Sequence, residues 1–146
     1  MGITLPALSD RQLSVTFRPG RLSLEACIRT VETLATMPVD DRSAIETALF
    51  DFYSEAIDDG DFETAQEQLD WEKAQGSKFL NPRAAAAPSE VWPLTAFDSI
   101  IVTTDRSENI IAQVEGRAAW DGEHGVVLTF SDNGELRGVA GWGKIY

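Results

Sequence analysis

The spacing of apolar residues along the chain changes from a period of two to a helical period, and later back to two. Residues 12–18 alternate, with Leu13, Val15 and Phe17 on one side and polar side chains on the other. This alternation is typical of a half-buried β-strand. We therefore expect a strand over residues 12–18.

A helical pattern begins after Ser23. The apolar positions that recur at helical spacing are Leu24, Cys27, Ile28, Val31 and Leu34. Ser23 is a favourable N-cap residue, and Pro38 is a typical helix stop. The pattern predicts a first amphipathic helix that buries these five apolar side chains.

Two further helices are predicted after Pro38. The second begins near residues 40–43, where Ser43 and Glu46 match a capping box, and it ends at Gly60. The third is expected from about residue 61 to residue 74. The predicted buried residues are Ile45, Ala48, Leu49, Phe52 and Ala56 in the second helix and Phe62, Ala65 and Leu69 in the third.

The C-terminal part returns to strand periodicity after residues 76–93, a proline-containing segment that we interpret as a crossing loop. Residues 98–142 predict two hairpins, which together form a four-strand antiparallel meander. We expect one α+β domain over residues 1–146, with a helical part at residues 23–75. Its sheet is expected to be mostly antiparallel and to consist of the N-terminal strand and the meander, with about three helices packed on one face.

Composition narrows the classes of function. The chain has 146 residues, of which 43% are hydrophobic, so it can bury one sizeable core. Its net charge of −12 argues against binding to nucleic acids or anionic membranes, which are themselves negative. The single cysteine, Cys27, favours a reducing compartment, and we find no secretory signal or membrane span. We expect a cytoplasmic protein and leave its oligomeric state open.

Negative charge is concentrated between residues 43 and 72, which contain ten carboxylates and no Lys or Arg. Projection of the two helices at about 100° per residue groups most of these acids into two triads. The triads are Asp51, Glu55 and Asp58 on the second helix and Glu63, Glu67 and Asp70 on the third. Phe50 and Trp71 lie off the apolar sides of these helices, so they are candidate aromatic anchors of an interface.

The acidic segment has two alternative interpretations. In the first, the carboxylates only solvate the surface, and Trp71 packs under the long loop. In the second, they bind a basic protein. Like charges at helical spacing cost roughly 0.2–0.5 kcal/mol per pair, and the net charge exceeds the magnitude of about 2–8 that suffices for solubility. These two observations favour a binding surface.

The segment 120–125 is a second candidate site, with Trp120, Asp121, Glu123 and the single histidine, His124. His124 oriented by Asp121 or Glu123 is a candidate general base, and the same groups are candidate metal ligands. However, a zinc site needs three or four ligands, and one histidine without a suitable cysteine leaves only carboxylates. We favour a structural turn and expect no metal, no cofactor and no catalytic residue.

Residues 119–130, continuing into the hairpin at residues 132–136, resemble an uncharacterised bacterial domain family with a W-D-x-E-H-G turn, a short apolar strand and a D-G hairpin. The strand at residues 99–102 and the helix at residues 50–53 are also similar. The resemblance implies a cytoplasmic accessory or immunity protein of a bacterial toxin system. It implies no catalytic residues, and His124 would bond to backbone across the hairpin.

Three hypotheses about function follow. The leading one is a non-catalytic immunity protein that neutralises a cognate toxin by covering the toxin's basic active site with the acidic helices. The second is a metal-dependent or acid/base enzyme centred on Asp121, Glu123 and His124. The third is an assembly or scaffold subunit whose acidic surface only prevents aggregation.

Overall fold

A computed structural model of the chain describes residues 2–5, 12–18, 23–37, 42–58, 87–118 and 120–142. Within these ranges the strands form a six-stranded sheet in which they follow one another in sequence order. The strands are β1 (Gly2–Thr4), β2 (Gln12–Phe17), β3 (Thr95–Thr104), β4 (Ile110–Ala118), β5 (Asp121–Ser131) and β6 (Leu136–Ala140). The described connection between β2 and β3 contains α1 (Leu24–Ala35), α2 (Arg42–Asp58) and a 3₁₀ helix (Pro88–Leu94).

The sheet is mostly antiparallel. β2 and β3 run parallel, with Val15 opposite Ile100 and Phe17 opposite Val102. The other neighbouring pairs of the described sheet are antiparallel. A parallel pair requires a long crossover connection, and α1 and α2 lie in it. The prediction of an α+β fold with a mostly antiparallel sheet is confirmed.

Details of the arrangement differ from the prediction. β1 adds a strand at the edge of the sheet, where it pairs antiparallel with β2. Three residues are too few for an alternating pattern to identify this strand. The predicted loop at residues 76–93 is also wrong at its end, because Pro88–Leu94 is a 3₁₀ helix. The predicted third helix, from about residue 61 to residue 74, lies outside the described residues.

The start of α1 agrees with the prediction, whereas its buried side does not. The Ser23 hydroxyl accepts a hydrogen bond from the Ala26 backbone N–H at 3.1 Å, which is N-cap geometry. Leu24 is 63% exposed and Ile28 is 37% exposed, so their predicted inward positions are wrong. Thr30 lies inward instead, because its hydroxyl donates to the Ala26 carbonyl at 2.9 Å and is satisfied within the helix. The buried residues of α1 are Cys27, Thr30, Val31 and Leu34.

α2 packs against both the sheet and the 3₁₀ helix. Its buried apolar residues are Ile45, Leu49, Tyr53 and Ala56. Ala48 and Phe52, predicted to be buried, are half-buried. The fully buried Trp120 meets α2 edge-on, with ring centroids 5.4 Å from Tyr53 and 6.1 Å from Phe52. Trp120 therefore joins the β4–β5 hairpin to the second helix.

The turn between β3 and β4 is tied to the edge strand β6. The Asp105 carboxylate accepts hydrogen bonds from the backbone N–H groups of Ser107 at 2.8 Å and Asn109 at 2.9 Å. Arg137 of β6 donates to the same carboxylate at 2.8 Å. The Arg137 guanidinium, followed by the backbone N–H of Asn109, lowers the pKa of Asp105 to about 2.

We expect Asp105→Asn to lower the melting temperature near neutral pH and to lose this effect in acid. An acid with a lowered pKa stabilises the folded state above its unfolded-state pKa of about 3.9. That stabilisation disappears as the pH falls through the folded-state pKa of about 2. Thermal unfolding across this pH range measures the difference between the two proteins. Asp132→Asn, in the β5–β6 turn, is the control, and a difference independent of pH would contradict the ion-pair explanation.

Candidate interaction surface

The outer face of α2 carries the exposed side chains of Asp51 and Glu55. They lie about one helical turn apart, roughly 6 Å along the axis, and on the side opposite the buried Leu49 and Tyr53. Among the described residues, neither carboxylate has a hydrogen bond or an ion pair. Asp58, the third member of the predicted triad, is the last residue of α2. We call Asp51 and Glu55 the acidic face.

Glu46 is an acid of the same segment that has a role within the fold. Its Oε1 accepts a hydrogen bond from the indole N–H of Trp92 at 2.6 Å. The guanidinium carbon of Arg42 lies 4.0 Å from the centroid of that indole ring, a cation–π arrangement. These contacts hold the 3₁₀ helix on α2, so Glu46 is separate from the acidic face.

Phe50 is not the exposed anchor that the sequence suggested. It is half-buried and packs against the core, with its ring centroid 5.8 Å from that of Tyr53. The prediction assumed that α2 has a single apolar stripe, whereas Phe50, off that stripe, also packs against the core. Phe50 therefore contributes to packing and is not part of the acidic face.

The second predicted triad lies outside the described residues. Its members are Glu63, Glu67 and Asp70, and the neighbouring candidate anchor is Trp71. The described part of the predicted surface is thus its α2 half. The charge count of the acidic segment is a property of the sequence and stands unchanged.

The W-D-x-E-H-G segment lies mainly in a strand, so the predicted placement in a turn is wrong. Ala118 of β4 pairs with Asp121 of β5, and Trp120 lies in the turn between the two strands. Asp121 and Glu123 belong to β5, and His124 is exposed. Among the residues that the structure describes, no group of three His, Cys, Asp or Glu side chains could hold a metal ion.

The end of this segment holds Trp142 in place, which the sequence did not predict. The backbone N–H of Trp142 donates to the His124 carbonyl at 2.6 Å. Its indole N–H donates to the Gly116 carbonyl on β4 at 3.0 Å. Gly125 has φ +60°, and a Cβ there would lie 2.1 Å from the indole ring. Gly125 thus allows the indole to lie across β5, and Trp142 remains 45% exposed.

A half-buried carboxylate, Glu115, lies on the sheet face opposite the helices, where it pairs with Ser99 and Val127. Burial raises the pKa of Glu115, while the positive charge of Arg18 opposes this shift and the negative charge of Asp98 adds to it. A single carboxylate with a raised pKa does not form an acid/base pair. We therefore assign Glu115 no catalytic role.

Residues 2–142 match a domain of unknown function. The chain belongs to the DUF6985 family. No curated protein and no solved structure shows a significant match to it. The DUF6985 match covers the described sheet, α1, α2 and the whole acidic segment. In the part of this DUF6985 domain that the structure describes, no helix is long and apolar enough to cross a membrane.

Proposed function

We propose that this DUF6985 domain is a non-catalytic interaction protein that binds a basic protein through the acidic face of α2. More specifically, we propose a bacterial immunity protein that covers the basic active site of a cognate toxin. Binding of this kind requires no turnover by the domain itself. An immunity role is also what the resemblance drawn from residues 119–130 and 132–136 would imply.

The observation that carries the proposal is the exposure of Asp51 and Glu55 without partners among the described residues. Two such carboxylates on one helix face repel each other and cost stability. A basic protein surface removes that cost, and complementary charge also accelerates and orients association. The net charge of −12 extends the attraction over the whole molecule.

Reversal of the two charges tests the proposal. The probe is the protein encoded by the gene next to the one that encodes this chain, co-expressed with the unaltered domain or with Asp51→Lys/Glu55→Lys. We expect the unaltered domain to copurify with its neighbour and to relieve growth inhibition by it. The double variant should lose both effects, since each reversal replaces an attraction with a repulsion.

Glu25→Lys/Glu32→Lys is the matched control. Both residues are exposed on α1, and the substitution changes the net charge by the same amount. The control should still bind and protect. Equal loss with both double variants would mean that only net charge matters, and no loss with either would exclude the acidic face as the interface. A stable homo-oligomer that ignores the neighbour would instead support the scaffold hypothesis.

A further inference from the structure

An apolar pocket of about 220 Å³ lies where α1 ends, α2 begins and the β5–β6 hairpin turns. Met37, Ala44, Phe130 and Leu136 contribute apolar surface to it, and Glu135 is the charged residue among its described lining. An apolar cavity of roughly 150 Å³ is large enough to bind benzene. The pocket therefore has room for a single Leu, Met or Phe side chain.

The pocket and the acidic face lie on the same side of α2. Ala44 is exposed, and helical geometry places it within about 40° of Asp51 and Glu55 around the α2 axis. Asp51 follows Ala44 by about 10 Å along that axis. One side of α2 thus presents an apolar opening at its N-terminal end and two carboxylates farther along.

The charges around the pocket select its occupant. Glu135 lines the pocket and is exposed, and the exposed Asp132 lies in the neighbouring β5–β6 turn. With Asp51 and Glu55, these acids place negative charge on both the α2 side and the hairpin side of the opening. An apolar side chain that enters the pocket is therefore favoured when basic residues flank it.

We propose that the pocket receives one apolar side chain of the basic protein partner, flanked in that partner by Lys or Arg residues. This inference rests on the proposed function and specifies its partner. The apolar side chain supplies a buried anchor, and the acids on either side of it orient the approach. Interfaces commonly combine such a central anchor with a charged rim.

Two synthetic peptides test the anchor directly. Each has a central residue with two lysines on either side, and the central residue is Leu in one peptide and Ser in the other. The chain contains two methionines, Met1 and Met37, so ¹³C-methyl labelling of methionine gives a reporter in the pocket. We expect the Leu peptide to shift the Met37 signal and to bind about tenfold tighter than the Ser peptide.

Ala44→Trp should fill the pocket and reduce the Leu preference to about one. Ser43→Trp, at an exposed neighbouring position that does not line the pocket, should leave the preference unchanged. The comparison of the two peptides on the unaltered chain needs no variant, so it remains decisive even if Ala44→Trp folds poorly. A Leu preference that survives in a folded Ala44→Trp protein overturns the assignment to this pocket.

The proposed apolar anchor and the proposed acidic interface are contradicted by different results. Equal binding of both peptides, still weakened by Asp51→Lys/Glu55→Lys, overturns the anchor and leaves the acidic face intact. A Leu preference with no weakening by that double variant overturns the basic character of the partner. A Met37 shift that depends on the concentration of the chain alone shows that a second copy fills the pocket, which also overturns the inference.

Discussion

Trp120→Ala is expected to lower the free energy of unfolding by about 3–5 kcal/mol, the usual cost of truncating a buried Trp to Ala. Trp120 is fully buried and packs edge-on against Phe52 and Tyr53 of α2. The substitution therefore opens a cavity between the β4–β5 hairpin and the helix that carries the acidic face. Urea unfolding followed by circular dichroism measures the loss.

Trp120→Phe separates the packing of the ring from its polar group. The indole N–H of Trp120 is buried and has no hydrogen-bond partner among the described residues. An unsatisfied buried donor is unfavourable, so its removal offsets part of the cavity cost. We expect Trp120→Phe to cost less than half as much as Trp120→Ala. Equal costs of Trp120→Phe and Trp120→Ala would contradict this expectation. They would mean that a smaller aromatic ring recovers none of the stability that the full-size indole ring supplies.

Gly125→Ala is expected to cost about 2–3 kcal/mol. A non-glycine residue at φ +60° stores roughly 1–2 kcal/mol of strain. The new methyl group also displaces the Trp142 indole, which loses its 3.0 Å hydrogen bond to the Gly116 carbonyl, worth about 1 kcal/mol. Denaturant unfolding of the single variant gives the sum of the two effects.

A double-mutant cycle with Trp142→Ala tests the origin of this cost. Without the indole, Gly125→Ala should retain only the backbone strain of roughly 1–2 kcal/mol. The two substitutions are therefore expected to be coupled. An equal cost of Gly125→Ala in both backgrounds would show that the indole does not cause the requirement for glycine.

Local signals in the sequence identified several helices and strands but not β1, the 3₁₀ helix or the way in which the elements face one another. Alternation identified β2, and the Ser23 cap identified the start of α1, because both signals are local. The inward face of α1 was misjudged because periodicity does not distinguish Ile28 from Thr30, whose hydroxyl is satisfied within the helix. The half-burial of Phe50 reflects its packing against Tyr53 and the core, which the single apolar stripe expected for α2 did not include.

The candidate surface was predictable only as a distribution of charge. The spacing of Asp51 and Glu55 predicted a shared exposed face, since helical geometry alone determines it. The hydrogen bond from Trp92 to Glu46 joins residues separated by 46 positions, so no local sequence pattern revealed it. The pocket beside Ala44 forms where two helices and a hairpin come together. A single sequence does not show which distant residues are in contact, so it gave no signal for this pocket.

The central claim is that the acidic face of α2 binds a basic partner. Its most direct test is calorimetric titration of the protein encoded by the adjacent gene with the unaltered domain, with Asp51→Lys/Glu55→Lys and with Glu25→Lys/Glu32→Lys. If each reversed charge removes about 1.5 kcal/mol, the first double variant binds about 100-fold more weakly. The second should bind within a few-fold of the unaltered domain. Equal affinity of all three proteins at moderate salt would contradict the claim.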